Sequence, residues 1–269
     1  MRLMWIQRLS AIALGFSSPF FGFTLPAAIA LPLAAPVQFF VLPQRNYWLQ
    51  INGFSGRSRA TPIQLWATYY HIHQATAAPA GEPLLNKAGQ SLGVTLSHRD
   101  WCHAALQGTV QVQQSGRLTL YNFAGRGSSP QTDCSPYFKS LSDDVLDQLN
   151  RVRFTPTSGP LGYGTGRYRL VPYRTIAVDR SQIPLGSVVY IPAARGQRVT
   201  LPSGDRVYHD GFFFAADVGS NIQGNHIDVF LGLNPRNPFP FISSSPNQTF
   251  KAYVIQDPEI NRALAQLHR

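Results

Sequence analysis

The stretch Ala215-Ala216-Asp217-Val218-Gly219-Ser220-Asn221-Ile222-Gln223-Gly224-Asn225-His226-Ile227-Asp228-Val229-Phe230 decides how the rest of the chain is read. It opens on an apolar run, Phe212 to Ala216, of the kind that forms a strand buried on both faces. Asp217 ends that run. The loop that follows holds Gly219, Asn221, Gly224 and Asn225, residues that tolerate left-handed backbone and close approach. A second strand then begins at His226. Alternation sends His226, Asp228 and Phe230 to one face and Ile227, Val229 and Leu231 to the other. A carboxylate beside an aromatic ring is desolvated and its pKa rises, as a general acid near neutral pH requires. Capping of loop amides is the plainer role for any single Asp. Two of them bracketing one Gly/Asn loop favour a site.

Composition bounds the setting. The chain has 269 residues, and its 23 Lys plus Arg against 13 Asp plus Glu favour an anionic partner: nucleic acid, an acidic membrane face or an anionic surface polymer. Nucleic acid fits worst, because the cations are scattered and no basic helix, zinc finger or aromatic RNA-binding signature is present. Arg2 and Arg8 precede a run from Leu9 to Pro43 without a charge, and Ala28-Ile29-Ala30 has the small-x-small pattern of a cleavage site. This reads as an export signal. The competing reading is a retained membrane anchor, which the uncharged run is long enough to supply, although Pro26, Pro32 and Pro36 interrupt it. In an exported chain Cys102 and Cys134, an even pair, are expected to form a disulfide.

Outward from the central stretch the pattern is β-rich. Ile63 to His73 reads as a long strand with Trp66, Thr68, Tyr70 and Ile72 on one face. His71 and His73 share the other face, but no further ligands arrive at recognised zinc spacings, so hydrogen-bonded or surface histidines are expected. Ala75 to Gly93 reads as an inserted loop, and Ser97 as the cap of a helix over Arg99 to Leu106. Val110–Gln114 and Arg117–Phe123 flank Ser115-Gly116 as a hairpin. Ser142 is expected to cap a helix whose stripe of Val145, Leu146, Leu149 and Val152 packs on a sheet. The Gly-rich Thr155 to Gly166, with Tyr163 among its glycines, reads as a connector, the alternative being a loop that lines a cleft. Strands are expected over Arg167–Val171, Tyr173–Asp179, Ser187–Pro192, Arg198–Leu201 and Phe250–Ile255, then a C-terminal helix.

Ile176-Ala177-Val178-Asp179, then Ile183 through Pro192, then Ala216-Asp217-Val218-Gly219 through Gly224-Asn225-His226-Ile227-Asp228-Val229-Phe230 resembles the three-aspartate (3D) domain. That domain is shared by the membrane-bound lytic transglycosylase A family and some cell-wall-associated factors. Ala67-Thr68-Tyr69-Tyr70 is similar to the first strand of other double-psi proteins, the expansins and family 45 glycosidases, and His226-Ile227-Asp228 to the expansin His-Phe-Asp. The resemblance implies a mainly β fold: a six-stranded double-psi β-barrel with loop insertions and a few short helices. It implies Asp228 as catalytic acid, Asp217 as its cleft partner and Asp179 as a structural third aspartate. Thr68, Tyr70, Gly219, Asn221, Gly224 and His226 would bind substrate. No cofactor or metal is expected. Where the family commonly has Gly-Gly-Ala-Ile-Lys-Gly this chain has Gly219-Ser220-Asn221-Ile222-Gln223-Gly224, so the loop lacks a cation.

The implied organisation is a signal peptide or anchor over 1–35, a linker over 36–62, the barrel domain with insertions over 63–256 and a C-terminal helix or tail over 257–269. The implied protein is exported to the periplasm, cell envelope or exterior. There it would cut the β-1,4 bond between N-acetylmuramic acid and N-acetylglucosamine in peptidoglycan strands, with Asp228 donating and then accepting a proton to give 1,6-anhydro ends. The alternatives are a non-catalytic, expansin-like wall-binding module and an inverting hydrolase on the same site.

Overall fold

The computed structural model describes Ile51 and residues 59–269. The signal or anchor expected over 1–35 and most of the linker expected over 36–62 lie outside the described residues. Among the described residues no helix is long and apolar enough to cross a membrane.

In chain order the elements are β1 (Arg59–Tyr70), β2 (His73–Thr76), β3 (Glu82–Leu85), β4 (Ser91–Leu96), α1 (His98–Gln107), β5 (Thr109–Gln114), β6 (Arg117–Arg126), α2 (Asp143–Asn150) and β7 (Val152–Thr157). They continue with β8 (Thr175–Val178), β9 (Val188–Tyr190), β10 (Arg198–Thr200), β11 (Arg206–Tyr208), β12 (Phe212–Asp217), β13 (His226–Phe230), β14 (Phe250–Gln256) and α3 (Pro258–Leu267). The fold is mainly β with a few short helices.

Among the described residues, six strands pair in a ring, β1-β13-β8-β12-β9-β14 and back to β1. Two of these pairs are parallel, β1 with β13 and β8 with β12. Parallel neighbours need long crossovers, and here they are the segments between β1 and β13 and between β8 and β12. Leu65 and Ala67 of β1, Ile176 and Val178 of β8, Phe213 and Ala215 of β12, and Ile227 and Val229 of β13 pack together in one fully buried cluster. The alternate residues of the same strands therefore turn away from this core. On that other face Phe212, Phe214 and Ala216 pack with Ile260 and Leu264 of α3, while Tyr70, Ala177 and Phe230 form a separate cluster.

The chain between β1 and β8 builds a second sheet, β2-β5-β6-β7, over its own core of Trp101, Cys102, Val110, Val112 and Phe154. The hairpin turns at Ser115 and Gly116, whose φ values of 47° and 79° are the positive ones a two-residue turn requires. Ser97 accepts from the Asp100 amide as the cap of α1. Cys102 and Cys134 form the expected disulfide, with Cα atoms 5.5 Å apart.

Several elements differ from the sequence reading. β1 begins at Arg59 rather than Ile63, because residues 59–62 pair with the β14 backbone whatever their side chains. The expected loop from Ala75 to Gly93 contains β3 and the start of β4, and the Asn86 carboxamide closes their turn by accepting from Ala88 and Gln90. Arg167 to Val171 is not a strand, because Gly166 and Arg167 take positive φ and break the extended backbone. Ser142 stands at the start of α2 without a side-chain cap bond, and Leu149 is the buried residue of that helix. Val152 belongs to β7.

Candidate active site

Asp228 projects from β13 on the face opposite the ring core. Across the parallel pairing its neighbour is Thr68 on β1, and across the antiparallel pairing it is Ala177 on β8. Asp217, at the end of β12, is paired with the same Ala177 from the other side. Plain alternation from Phe213 and Ala215 would turn Asp217 into the core. A bulge between Ala215 and Asp217 shifts the register by one residue and puts Asp217 on the outer face with Asp228. With one strand between them, their Cα atoms stand about 10 Å apart, two strand spacings. Ala177 leaves the floor between them open.

Each carboxyl has its own shell. Tyr70 donates to Asp217 Oδ2 at 3.0 Å, and the Val218 amide donates to Oδ1 at 2.9 Å. The Thr165 amide and hydroxyl both donate to Oδ1 at 3.2 Å. Thr68 Oγ1 lies 2.7 Å from Asp228 Oδ1 and 2.8 Å from His226 Nε2. His226 Nδ1 lies 3.2 Å from the Asn221 carbonyl, and Trp66 stacks on the imidazole at 3.5 Å.

Burial pushes Asp228 up to about 7, with the Thr68 hydroxyl opposing and the charge of Asp217 reinforcing the shift. Burial likewise pushes Asp217 up to about 6 against the pull of its donors. Tyr70 is raised well above the ordinary tyrosine value by burial and by both carboxylates, so it stays a donor. The two aspartates thus titrate where one can be acid while its neighbour is base.

The carboxyls line a cleft of about 450 Å³ that runs between the ring and the second sheet. Leu106, Asn122, Phe123 and Arg126 supply one wall and Val145 and Leu149 of α2 extend it, while Thr68, Tyr69 and the loop after Asp217 supply the other. Phe123, Leu106, Tyr69 and Val218 are exposed apolar groups within this cleft.

Of the residues expected in the site, Asp228, Asp217, Thr68, Tyr70, Gly219, Asn221 and His226 come together there. Gly224 and Asp179 stand outside the cleft lining. Asp179 Oδ2 accepts from the Gly224 amide at 2.8 Å, and Oδ1 accepts from Ser181. The Gly224 and Ser181 donors hold this carboxyl below the usual range. His73 is hydrogen-bonded, with Nε2 2.8 Å from Asp100 Oδ1.

Of the two readings of the Gly-rich stretch, connector and cleft wall, the structure favours the wall: it lines the cleft with Tyr163, Gly164 and Thr165. Buried Asn122 clamps it, donating to the Tyr163 carbonyl at 2.8 Å and accepting from the Tyr163 amide at 3.3 Å. A Cβ on Gly164 would lie 2.4 Å from the Ala216 carbonyl oxygen and 3.0 Å from Asp217 Cγ. The run Gly162-Tyr163-Gly164-Thr165-Gly166 was the signal for this close approach. Arg126 and Phe123, at the end of an ordinary hairpin strand, carried none.

A mainly β fold here carries two carboxyls, both raised toward neutrality by burial, in an open cleft, an arrangement suited to acid–base chemistry. Residues 174–237 match the 3D domain family, so the chain carries a 3D domain around its aspartates. Over 106 residues, 38% of this chain, it is 30% identical to a membrane-bound lytic murein transglycosylase A homolog of Buchnera aphidicola subsp. Schizaphis graminum (strain Sg). The matched part spans 28% of that relative's length. E. coli MltA, solved with bound chitohexaose, superposes with a TM-score of 0.50 and 16% identity over 74% of this chain and 76% of that one. A membrane-bound lytic murein transglycosylase from Agrobacterium tumefaciens gives 0.48 and 15% over 76% and 78%. Residues 174–237 are thus similar to the 3D domain, and the fold is similar to that of E. coli MltA.

Proposed function

We propose that this protein is a peptidoglycan-cleaving lytic transglycosylase in which Asp228 is the general acid and then the general base. Protonated Asp228 donates to the glycosidic oxygen between N-acetylmuramic acid and N-acetylglucosamine. As carboxylate it then takes the proton of the muramoyl 6-hydroxyl, whose oxygen closes on C1 to give the 1,6-anhydro end. The bond to the leaving oxygen breaks, a ring C–O bond forms, and no water is consumed. Asp217, held by Tyr70 and Thr165, carries negative charge toward the oxocarbenium-like centre. The exposed rings of Tyr69 and Phe123 offer apolar faces to sugars along the cleft. Asp179 holds the loop end at Gly224.

The observation that carries this reading is Asp228 on the cleft floor, held near neutrality by burial and in contact with one hydroxyl. The chitohexaose in the E. coli relative supports a glycan strand as the occupant. We read the ring as a double-psi β-barrel within a domain over 63–256, with the tail over 257–269 packed on it. Residues 1–35 export the chain or anchor it, which places it in the periplasm or cell envelope.

Digestion of purified sacculi by the protein and by Asp228→Asn, with mass spectrometry of the released muropeptides, tests the reading. Anhydro-muropeptides from the first and none from the second are expected. Reducing-end products would make it a hydrolase, and binding without release a wall-binding module.

A further inference from the structure

Three contacts join four groups in a line: Asp228 Oδ1, Thr68 Oγ1, the His226 ring and the Asn221 carbonyl. Counting their hydrogens restricts their protonation. A carbonyl oxygen only accepts, so the hydrogen in the 3.2 Å contact sits on His226 Nδ1. A neutral ring then has a bare lone pair at Nε2, and the 2.8 Å contact needs the Thr68 hydrogen. Thr68 has one hydrogen. Once it points to Nε2, the 2.7 Å contact needs a hydrogen from the Asp228 carboxyl. The line is complete only when Asp228, Thr68 and His226 together hold one proton more than an ionised Asp228 beside a neutral imidazole.

We propose that His226 is a positioning residue that, through Thr68, keeps this extra proton on the trio and so keeps Asp228 loaded as an acid. The inference rests on the acid role assigned to Asp228 above. The proton has two places. With the ring neutral it sits on Asp228, which donates to Thr68 Oγ1 while Thr68 donates to Nε2. If the Asp228 O–H bond breaks as a new Thr68 O–H forms, and the old Thr68 O–H breaks as Nε2–H forms, the result is a carboxylate and an imidazolium. The charge of the trio is unchanged. Burial of the ring lowers the His226 pKa and favours the first arrangement. Around the trio, β1 contributes Tyr70 and the stacked Trp66, β12 contributes Asp217, and the 219–225 loop contributes the Asn221 carbonyl. β8 contributes Ala177, which does not titrate. Asp217 opposes loss of the proton, since ionised Asp228 would be a second negative charge beside it.

The test uses the full chain and two readouts. Nitrogen-15 NMR of His226 at pH 6 reads the tautomer in the unmodified protein, and the Nδ1–H form is expected. Carbon-13 titration of the Asp228 carboxyl is then followed in variants beside the alkaline limb of sacculus turnover. His226→Phe keeps a ring under Trp66 but offers Thr68 no acceptor, so Thr68 turns to the carboxylate. The Asp228 titration and the limb should both fall by about one pH unit. Thr68→Val removes the oxygen that accepts the Asp228 proton and cuts the link to His226, so it should also move both downward, while Thr68→Ser should restore the native profile. An Nε2–H tautomer, or a native Asp228 titration in His226→Phe, overturns the proposal. If sacculi are not cut yet the titration moves as stated, the relay stands and the enzyme reading falls. If sacculi are cut and the titration does not move, the relay falls and the enzyme reading stands.

Discussion

Asp217 and Asp228 are paired, from opposite sides, with the same residue, Ala177. Two carboxyls that are not neighbours on any one strand therefore look into one cleft across a single methyl group. The bulge before Asp217 makes this possible, because without it that side chain would turn inward. A branched residue at the floor should close the gap. Ala177→Val is expected to lower sacculus turnover at least tenfold and to cost about 1–3 kcal/mol for overpacking. Turnover and thermal melting measured together check this. Native turnover in a folded Ala177→Val protein would mean that substrate does not reach the floor.

Asp228 should cost the fold stability at alkaline pH. Its folded-state pKa of about 7 lies above the ordinary aspartate value, so the folded protein binds that proton more tightly than the unfolded chain. The stability associated with the protonated group is fully present below about pH 4 and is lost as the pH rises through about 7. Asp228→Asn should therefore be more stable than the native protein at pH 8, by about 2–4 kcal/mol, with the gap closing toward pH 4. Melting temperatures at the two pH values decide it.

Tyr70→Phe removes the 3.0 Å bond to Asp217 Oδ2. That bond favours the ionised carboxyl, so the Asp217 pKa, already raised to about 6, should rise further. The acidic limb of the turnover profile is expected to move upward, with a loss of rate of about tenfold near pH 6. An unmoved acidic limb would show that Asp217 does not need to be ionised.

Gly164→Ala should disturb the site from a loop. The added methyl would meet the Ala216 carbonyl and Asp217 together, pushing Thr165 off the carboxyl it donates to. Turnover is expected to drop at least tenfold, with a loss of about 1–3 kcal/mol in stability. Thr165→Val, which keeps the amide bond and loses only the hydroxyl, should have the smaller effect on turnover.

Replacing both cysteines by Ser removes the tie between α1 and the Cys134 loop, 32 residues apart in sequence. By loop closure the loss is about 3–4 kcal/mol. It should be felt in the second sheet, where both side chains are buried in the core, and hydrogen exchange would place it there.

Much of this was legible in the residues because the deciding physics is local. Strand periodicity placed Asp228 opposite Ile227 and Val229, the Ser115-Gly116 turn announced its hairpin, and Ser97 announced α1. The Gly/Asn loop bracketed by aspartates marked the site, and likeness to a known domain supplied roles that pattern alone could not. Elsewhere the deciding contacts were distant in sequence. Residues 59–62 are strand because β14 lies beside them, and Gly164 is required because Ala216 and Asp217 pass against it.

By itself, then, the amino-acid sequence determined the alternation of the strands, the turns, the paired cysteines and the identity of the two acids. The alternation and the turns depend on side chains within a few positions of one another, and the cysteine pairing on there being two in the whole chain. Tertiary structure alone decided that Asp217 faces outward through a bulge, and that the Gly-rich segment forms cleft wall. It also decided that the second sheet stands opposite the acids to make a cleft, and that His226 meets Asp228 through Thr68. Those outcomes follow from strand pairing and desolvation between segments 40 to 160 residues apart, which no local pattern encodes.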